Sequence, residues 1–193
     1  MNQRYKDLFL RVGSVLATVL CVLVVAKDAT AQRRDYMTES EVELVREAQD
    51  IDARVAVLTK MVDRRMALLG LDSNGWKEPA KQGDPWGEAP KGTRQQFVAD
   101  VRSLIQKAVD DVDDAAMHNE NTVTQNKTEG LLFPKAVRNL AAAAARYKAA
   151  LGPIAEKTAD EKERGMLLTS LELCDQIIEA AATLPAEKKK GKS

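Results

Sequence analysis

Residues 38–70 read TESEVELVREAQDIDARVAVLTKMVDRRMALLG, and this stretch decides the fold class. Thr38-Glu39-Ser40-Glu41 is a capping-box pattern, in which the Thr hydroxyl and the Glu carboxylate each satisfy a backbone donor at a helix start. The apolar residues that follow recur at helical spacing: Val45, Ala48, Ile51, Val55, Leu58, Val62 and Leu69. We therefore predict one helix from this cap to Gly70, with Arg65 filling the turn of the apolar face that lacks an apolar residue.

Three further segments carry an apolar stripe at helical spacing. The second helix is predicted to open at the capping-box pattern Thr93-Arg94-Gln95-Gln96, and Pro134 suits the first turn of the third. Gly152-Pro153 is predicted to end or kink the third helix, and Thr158-Ala159-Asp160-Glu161 to cap the fourth. Because none of these helices can bury its stripe alone, we predict an all-α four-helix bundle, with up-down-up-down as the simplest topology.

The composition agrees with this fold class and excludes several others. The chain has 193 residues, of which 45% are apolar and 30% are charged, which is typical of a soluble globular protein. Only 4% are aromatic, which fits a helical protein better than a sandwich or barrel. Since 29 basic residues balance 29 acidic ones, nucleic acid is not a predicted partner.

Residues 1–31 have the pattern of a signal peptide. Basic residues precede an uncharged apolar run from Val12 to Ala26, and Ala29-Thr30-Ala31 supplies the small residues that a signal peptidase reads. The run is shorter than the roughly 20 residues of a transmembrane helix. We predict cleavage after Ala31; the alternative is an uncleaved, tilted membrane anchor.

In either case the remainder is predicted to be extracytoplasmic, in the periplasm or secreted. Residues 32–186 are then one bundle domain, and residues 187–193 are a basic disordered tail. Contact of this tail with an anionic membrane surface is the alternative for it.

With the signal peptide removed, Cys174 is the sole thiol, and its place on the apolar seam of the fourth helix predicts a buried, inert side chain.

The connection from Leu71 to Gly92 is longer than the loops usual in helical bundles, and it contains both tryptophans of the chain. Trp76 and Trp86 lie among glycines and prolines that favour turns over helix. One interpretation is that the indoles fold back and tether the loop to the bundle. The other, which we adopt as the functional hypothesis, is that Trp76 and Trp86 form an aromatic platform that binds a partner.

A second candidate site lies on the predicted second helix. Asp110, Asp114 and His118 are spaced i, i+4 and i+8, so they lie along one helical face that could hold a divalent metal ion. The alternative is a solvated acidic face with His118 at the negative end of the helix dipole.

No other cofactor is predicted. His118 is the sole histidine and the chain contains no G-x-S-x-G motif, so we predict no catalytic residues and no enzyme.

The first helix also carries a resemblance. The runs Met37–Glu41 and Leu44–Asp50, followed by Arg54, resemble a segment found in uncharacterised exported helical proteins of environmental bacteria. No activity is attached to that group. The resemblance therefore implies export and an all-α fold, and it carries over no functional residue.

These observations predict a non-enzymatic, exported helical bundle that acts as a binding or structural module of the cell envelope. Its partner would be a protein, an envelope component or a second copy of the chain. Membrane contact would come only through an uncleaved N-terminal segment or the lysine tail. The alternative is a metal- or cofactor-binding bundle that uses Asp110, Asp114 and His118.

Overall fold

The computed structural model describes residues 34–77, 84–118, 125–126 and 130–185. The predicted signal peptide and lysine tail lie outside these residues, and the side chain of His118 is also outside the description. The described residues have an all-α fold: five α-helices lie within them, and the only strands described are one pair of two residues each. The helices are α1 (Glu39–Glu47), α2 (Ile51–Leu68), α3 (Arg94–His118), α4 (Leu132–Lys157) and α5 (Glu161–Ala182).

Two short strands, β1 (Gln125–Asn126) and β2 (Gly130–Leu131), pair antiparallel before α4, with Gln125 opposite Leu131. None of the helices in the described ranges has the length and apolar character of a membrane span. From Tyr36 to Pro185, the described residues belong to one compact unit.

The single helix predicted for residues 38–70 is wrong, because this stretch forms α1 and α2. The cap at Thr38 is confirmed: its N–H donates to Glu41 Oε2 at 2.9 Å, and Glu41 N–H donates to Thr38 Oγ1 at 3.3 Å. The helix then breaks at Ala48, whose ψ is 86°. A straight helix would hold Glu41 about 36 Å from Arg65, at about 1.5 Å per residue, whereas the break lets α1 fold back onto α2.

Of the other predicted helix boundaries, one is confirmed and two differ from the structure. The capping box at Thr93 is confirmed, with Gln96 N–H donating to Thr93 Oγ1 at 3.2 Å and Thr93 N–H donating to Gln96 Oε1 at 2.7 Å. However, α5 is capped by Asp160 and not by Thr158, because the Asp160 carboxylate accepts from Glu163 N–H at 2.7 Å. Helix α4 does not end at Gly152-Pro153 but continues to Lys157, with Ala155 buried in the core, and the alternative of a kink at Pro153 stays a prediction.

The four long helices share one apolar core. α2 packs against α3 and α4, and α5 packs against the same two helices. All four contribute apolar side chains that are at most 1% exposed, among them Val55, Leu58, Leu104, Leu151 and Leu167. Cys174 is buried as predicted, and burial, with a smaller contribution from Asp175, raises the pKa of its thiol to about 12. The predicted inert character follows, because the thiolate is the reactive form.

Candidate functional site

The C-terminal part of α2 carries three consecutive charged residues that are all buried, Asp63, Arg64 and Arg65. A three-residue run covers most of a helical turn, so these side chains point in three different directions. Arg65 contacts α1 and α3, Arg64 contacts α1 and the segment after α2, and Asp63 contacts that segment and α4. Together they anchor α1 and the loop between α2 and α3, which we call the tryptophan loop (residues 69–93).

Arg65 points to α1. Its Nη1 and Nη2 donate to Glu41 Oε1 and Oε2 at 2.6 and 2.7 Å, and its Nε donates to Asp100 Oδ2 of α3 at 3.3 Å. Nη2 also donates to the carbonyl of Tyr36 at 2.7 Å. Both Arg65 and Glu41 are 0% exposed, so the pair is bidentate and removed from water.

The environment of Glu41 favours its charged form. Burial by itself raises the pKa of this carboxyl, but its hydrogen bonds and charge interaction with Arg65 lower it. The Thr38 N–H and Arg64 also lower the pKa of Glu41, which lies below its ordinary value as a result. At neutral pH Glu41 is therefore a buried carboxylate that faces two buried guanidinium groups.

Arg64 points to the tryptophan loop. Its Nη1 donates to Glu41 Oε1 and to the carbonyl of Trp86, both at 3.1 Å. Its Nη2 donates to the carbonyls of Gly87 and Glu88 at 3.0 and 2.8 Å. The guanidinium carbon also lies 5.4 Å from the ring centroid of Trp76. One arginine therefore holds three successive loop carbonyls and contacts the other tryptophan through a cation–π interaction.

The two predicted partner-binding residues lie together. The rings of Trp76 and Trp86 have centroids 5.6 Å apart and are nearly perpendicular, at 85°, which is a favoured edge-to-face geometry. Both side chains are half-buried, and Trp86 packs against the apolar core. Gly87 has a φ of +62°, and a Cβ there would lie 2.4 Å from Ser40 Oγ, so this end of the loop fits closely against α1.

Asp63 anchors the other end of the tryptophan loop. Its Oδ1 accepts from Ser73 Oγ at 2.6 Å, and its Oδ2 accepts from Arg146 Nη2 of α4 at 3.2 Å. Arg146 Nε also donates to the carbonyl of Ser73 at 2.9 Å. A Cβ on Gly75 would lie 1.8 Å from Asp63 Oδ2, so the loop backbone passes directly over this carboxylate. The loop is thus fixed by buried side chains at both ends.

Between the loop and α2 lies a groove of about 270 Å³, which we call the tryptophan groove. It is lined by Arg64, Ala67, Leu68, Trp76, Asp84, Gly87 and Ala89. Leu68 at its edge is 41% exposed although it is a large apolar residue. The volume is slightly below the roughly 300–1,000 Å³ of small-molecule pockets, so the tryptophan groove is better matched to an anchoring side chain of a protein partner.

A larger groove of about 340 Å³ lies between α3 and α5 and contains one of the predicted metal ligands. Asp110 lines it and accepts from Gln106 Nε2 at 2.8 Å. Asp114 is exposed on α3. Among the described residues no group of three or more His, Cys, Asp or Glu side chains is arranged to hold a metal ion. Because the His118 side chain lies outside the description, the metal site stays a prediction.

Sequence reasoning found the tryptophans, named Glu41 only as part of the helix cap and Arg65 only as a gap in an apolar stripe, and missed Asp63, Arg64 and Asp100. That gap was the available signal, because a charge on the buried face of a helix requires a partner.

The chain matches no protein-family model, no curated protein and no solved structure.

Proposed function

We propose that this protein is an exported, non-enzymatic binding module of the cell envelope, and that the tryptophan groove binds a side chain of a protein partner. The observation that carries this proposal is the half-buried pair Trp76 and Trp86 beside the exposed Leu68. Tryptophan is enriched among residues that dominate interface energies. The described parts of the loop next to the pair are held by Asp63 at Ser73 and by Arg64 at Trp86–Glu88, so ordering them costs little conformational entropy when a partner binds.

The two interpretations of the tryptophan loop are compatible with each other. Trp86 packs against the core and has its carbonyl held by Arg64, which is the behaviour of a tether. Trp76 lines the tryptophan groove and is contacted by the Arg64 guanidinium at one side. We assign Trp76 to partner contact and Trp86 mainly to the support of Trp76.

The scaffold of this module is, in our proposal, a four-helix bundle whose long helices alternate in direction along the chain. Ion pairs support this arrangement. Lys135 Nζ lies 2.9 Å from Asp52 Oδ2, so the starts of α4 and α2 are adjacent. Arg94 Nε lies 3.0 Å from Glu163 Oε1, so the starts of α3 and α5 are adjacent as well. Arg65 near the end of α2 contacts Asp100 near the start of α3, which is expected of antiparallel helices.

Site-specific photo-cross-linking in the producing cell tests the binding role. A benzophenone amino acid replaces Leu68 at the edge of the groove and, as the matched control, Leu168, which is 52% exposed on α5. We expect a discrete protein adduct from position 68, no such adduct from position 168, and loss of the position-68 adduct when Trp76→Ala is added. Equal adducts from both positions, or an adduct insensitive to Trp76→Ala, would contradict the proposal.

Native mass spectrometry of the protein from the producing cell tests whether the signal peptide is cleaved. We expect a mature species that begins at Gln32. A species that retains residues 1–31 would instead support the membrane-anchor alternative. The same spectrum tests the metal-binding alternative, which requires a metal adduct that is lost in His118→Ala.

A further inference from the structure

Arg64 contacts both α1 and the tryptophan loop. Through Nη1 and Nη2 it joins the Glu41 carboxylate to the carbonyls of Trp86, Gly87 and Glu88. The same side chain lines the tryptophan groove and lies 5.4 Å from the Trp76 ring centroid. Its conformation therefore affects the groove wall, the loop backbone and the tryptophan ring at once.

Arg64 also pairs with the buried carboxylate of Glu41. The Arg64 side chain is 6% exposed, and among the described residues Glu41 is the carboxylate that pairs with it, at 3.1 Å. Arg65 competes for the same carboxylate but has a second one in Asp100, 3.3 Å from its Nε. If Glu41 left the cluster, Arg64 would be a buried cation without its carboxylate partner, and such a group moves toward water. Since Arg64 lines the tryptophan groove, that movement would change the groove.

We propose that Arg64 is the positioning residue of the tryptophan groove, and that Glu41 couples the docking of α1 to the shape of that groove. The regulatory consequence rests on the proposed binding function, whereas the structural coupling does not. With α1 docked, Glu41 holds Arg64 against the loop and the groove has the described shape. With α1 released, Arg64 leaves the loop carbonyls and the tryptophan pair separates. Coupling of this kind is reciprocal, so a partner in the groove also stabilises the docked α1.

The intrinsic tryptophan signal of the protein tests this proposal, because the two tryptophans of the chain are Trp76 and Trp86. Emission excited at a wavelength that tyrosine does not absorb, together with the tryptophan bands of the near-ultraviolet circular dichroism, therefore reports on these two indoles. The variants are Glu41→Gln and Arg64→Lys; lysine keeps the charge but lacks the planar fork that reaches several carbonyls. The matched control is Glu43→Gln, because Glu43 lies on the same helix in an exposed ion pair with Arg46.

We expect Glu41→Gln and Arg64→Lys to shift tryptophan emission to longer wavelength and to weaken the near-ultraviolet signal, while far-ultraviolet circular dichroism shows retained helix. Glu43→Gln should have the wild-type spectra. Where Glu41→Gln does not fold, Thr38→Ala replaces it, since this change weakens the cap of α1 without removing a buried charge. Folded Glu41→Gln or Thr38→Ala protein with wild-type tryptophan spectra would overturn the coupling.

The cross-linker at position 68 separates this inference from the proposed function. A wild-type adduct that is lost in Glu41→Gln supports both. A wild-type adduct that persists in Glu41→Gln, together with unchanged spectra, overturns the coupling and leaves the binding function standing. Spectra that move in Glu41→Gln while the wild type gives no adduct support the coupling and overturn the binding function.

Discussion

The interior of this protein has two regions of different chemistry. Along the four long helices it is apolar, and side chains such as Leu58, Leu104 and Leu167 belong to one buried cluster. At the C-terminal part of α2 it is ionic, with Glu41, Asp63, Arg64, Arg65 and Asp100 all buried. Apolar burial has no preferred direction, so it brings helical faces together but does not fix what lies outside them. Hydrogen-bonded charges are directional, and here they position α1 and the two ends of the tryptophan loop.

Removal of one charge from the ionic region should have the largest effect. Arg65→Met leaves Glu41 buried without its bidentate partner, and the loss of one partner of a buried pair costs about 3–5 kcal/mol. Urea unfolding followed by circular dichroism measures this change. The matched control is Arg46→Met, whose ion pair with Glu43 is exposed and should contribute less than about 1 kcal/mol. Equal losses for the two variants would mean that the ionic region does not stabilise the fold.

Truncation in the apolar region should come next. Leu58 is fully buried, and Leu58→Ala should cost about 2–5 kcal/mol through lost burial and the cavity that remains. Leu168→Ala, at a side chain that is 52% exposed, should stay within about 0.5 kcal/mol. We also expect folded Leu58→Ala to retain wild-type tryptophan spectra. A spectral change as large as that of Arg64→Lys would contradict the separation of the two regions.

The sequence predicts the apolar region well and the ionic region poorly, for a physical reason. Helical spacing and local caps such as Thr38 and Thr93 involve residues three or four apart, so they are visible in the sequence. The bond from Arg65 to Glu41 joins residues 24 apart, and the bond to Asp100 joins residues 35 apart. The apolar spacing continues through the break at Ala48, so periodicity alone hides the fold-back of α1. Only Arg65 in the apolar stripe signals that a distant carboxylate is needed.

Steric change in the loop should have a smaller effect than either core substitution. In Gly75→Ala the new Cβ would lie 1.8 Å from Asp63 Oδ2, so the loop or the carboxylate must move, at a cost of about 1–3 kcal/mol. Gly165→Ala is the matched control, because a Cβ there meets no atom within 4 Å. That change, inside α5, should stabilise by about 0.5–1 kcal/mol. Urea unfolding of both variants measures these changes in the free energy of unfolding. Stabilisation by Gly75→Ala would show that Asp63 does not fix the loop.

Acid should affect the ionic region with no side chain removed, and we expect the smallest change here. The pKa of Glu41 in the folded protein lies below its ordinary value of 4.5, because Arg65, Thr38 and Arg64 together outweigh the opposing effect of burial. A lowered folded pKa means that charged Glu41 contributes stability above about pH 4.5, and that this contribution is lost as the pH falls through the folded pKa.

The measurement compares the unfolding free energy of wild type with that of Glu41→Gln from neutral pH down to acid. The difference between the two proteins should be constant near neutrality and should shrink as Glu41 becomes protonated, since glutamine resembles the neutral acid in shape and charge. Other carboxylates titrate in both proteins and largely cancel in the comparison. A difference that grows toward acid would mean that Glu41 is neutral in the folded protein, and that Arg64 and Arg65 are held by something other than its charge.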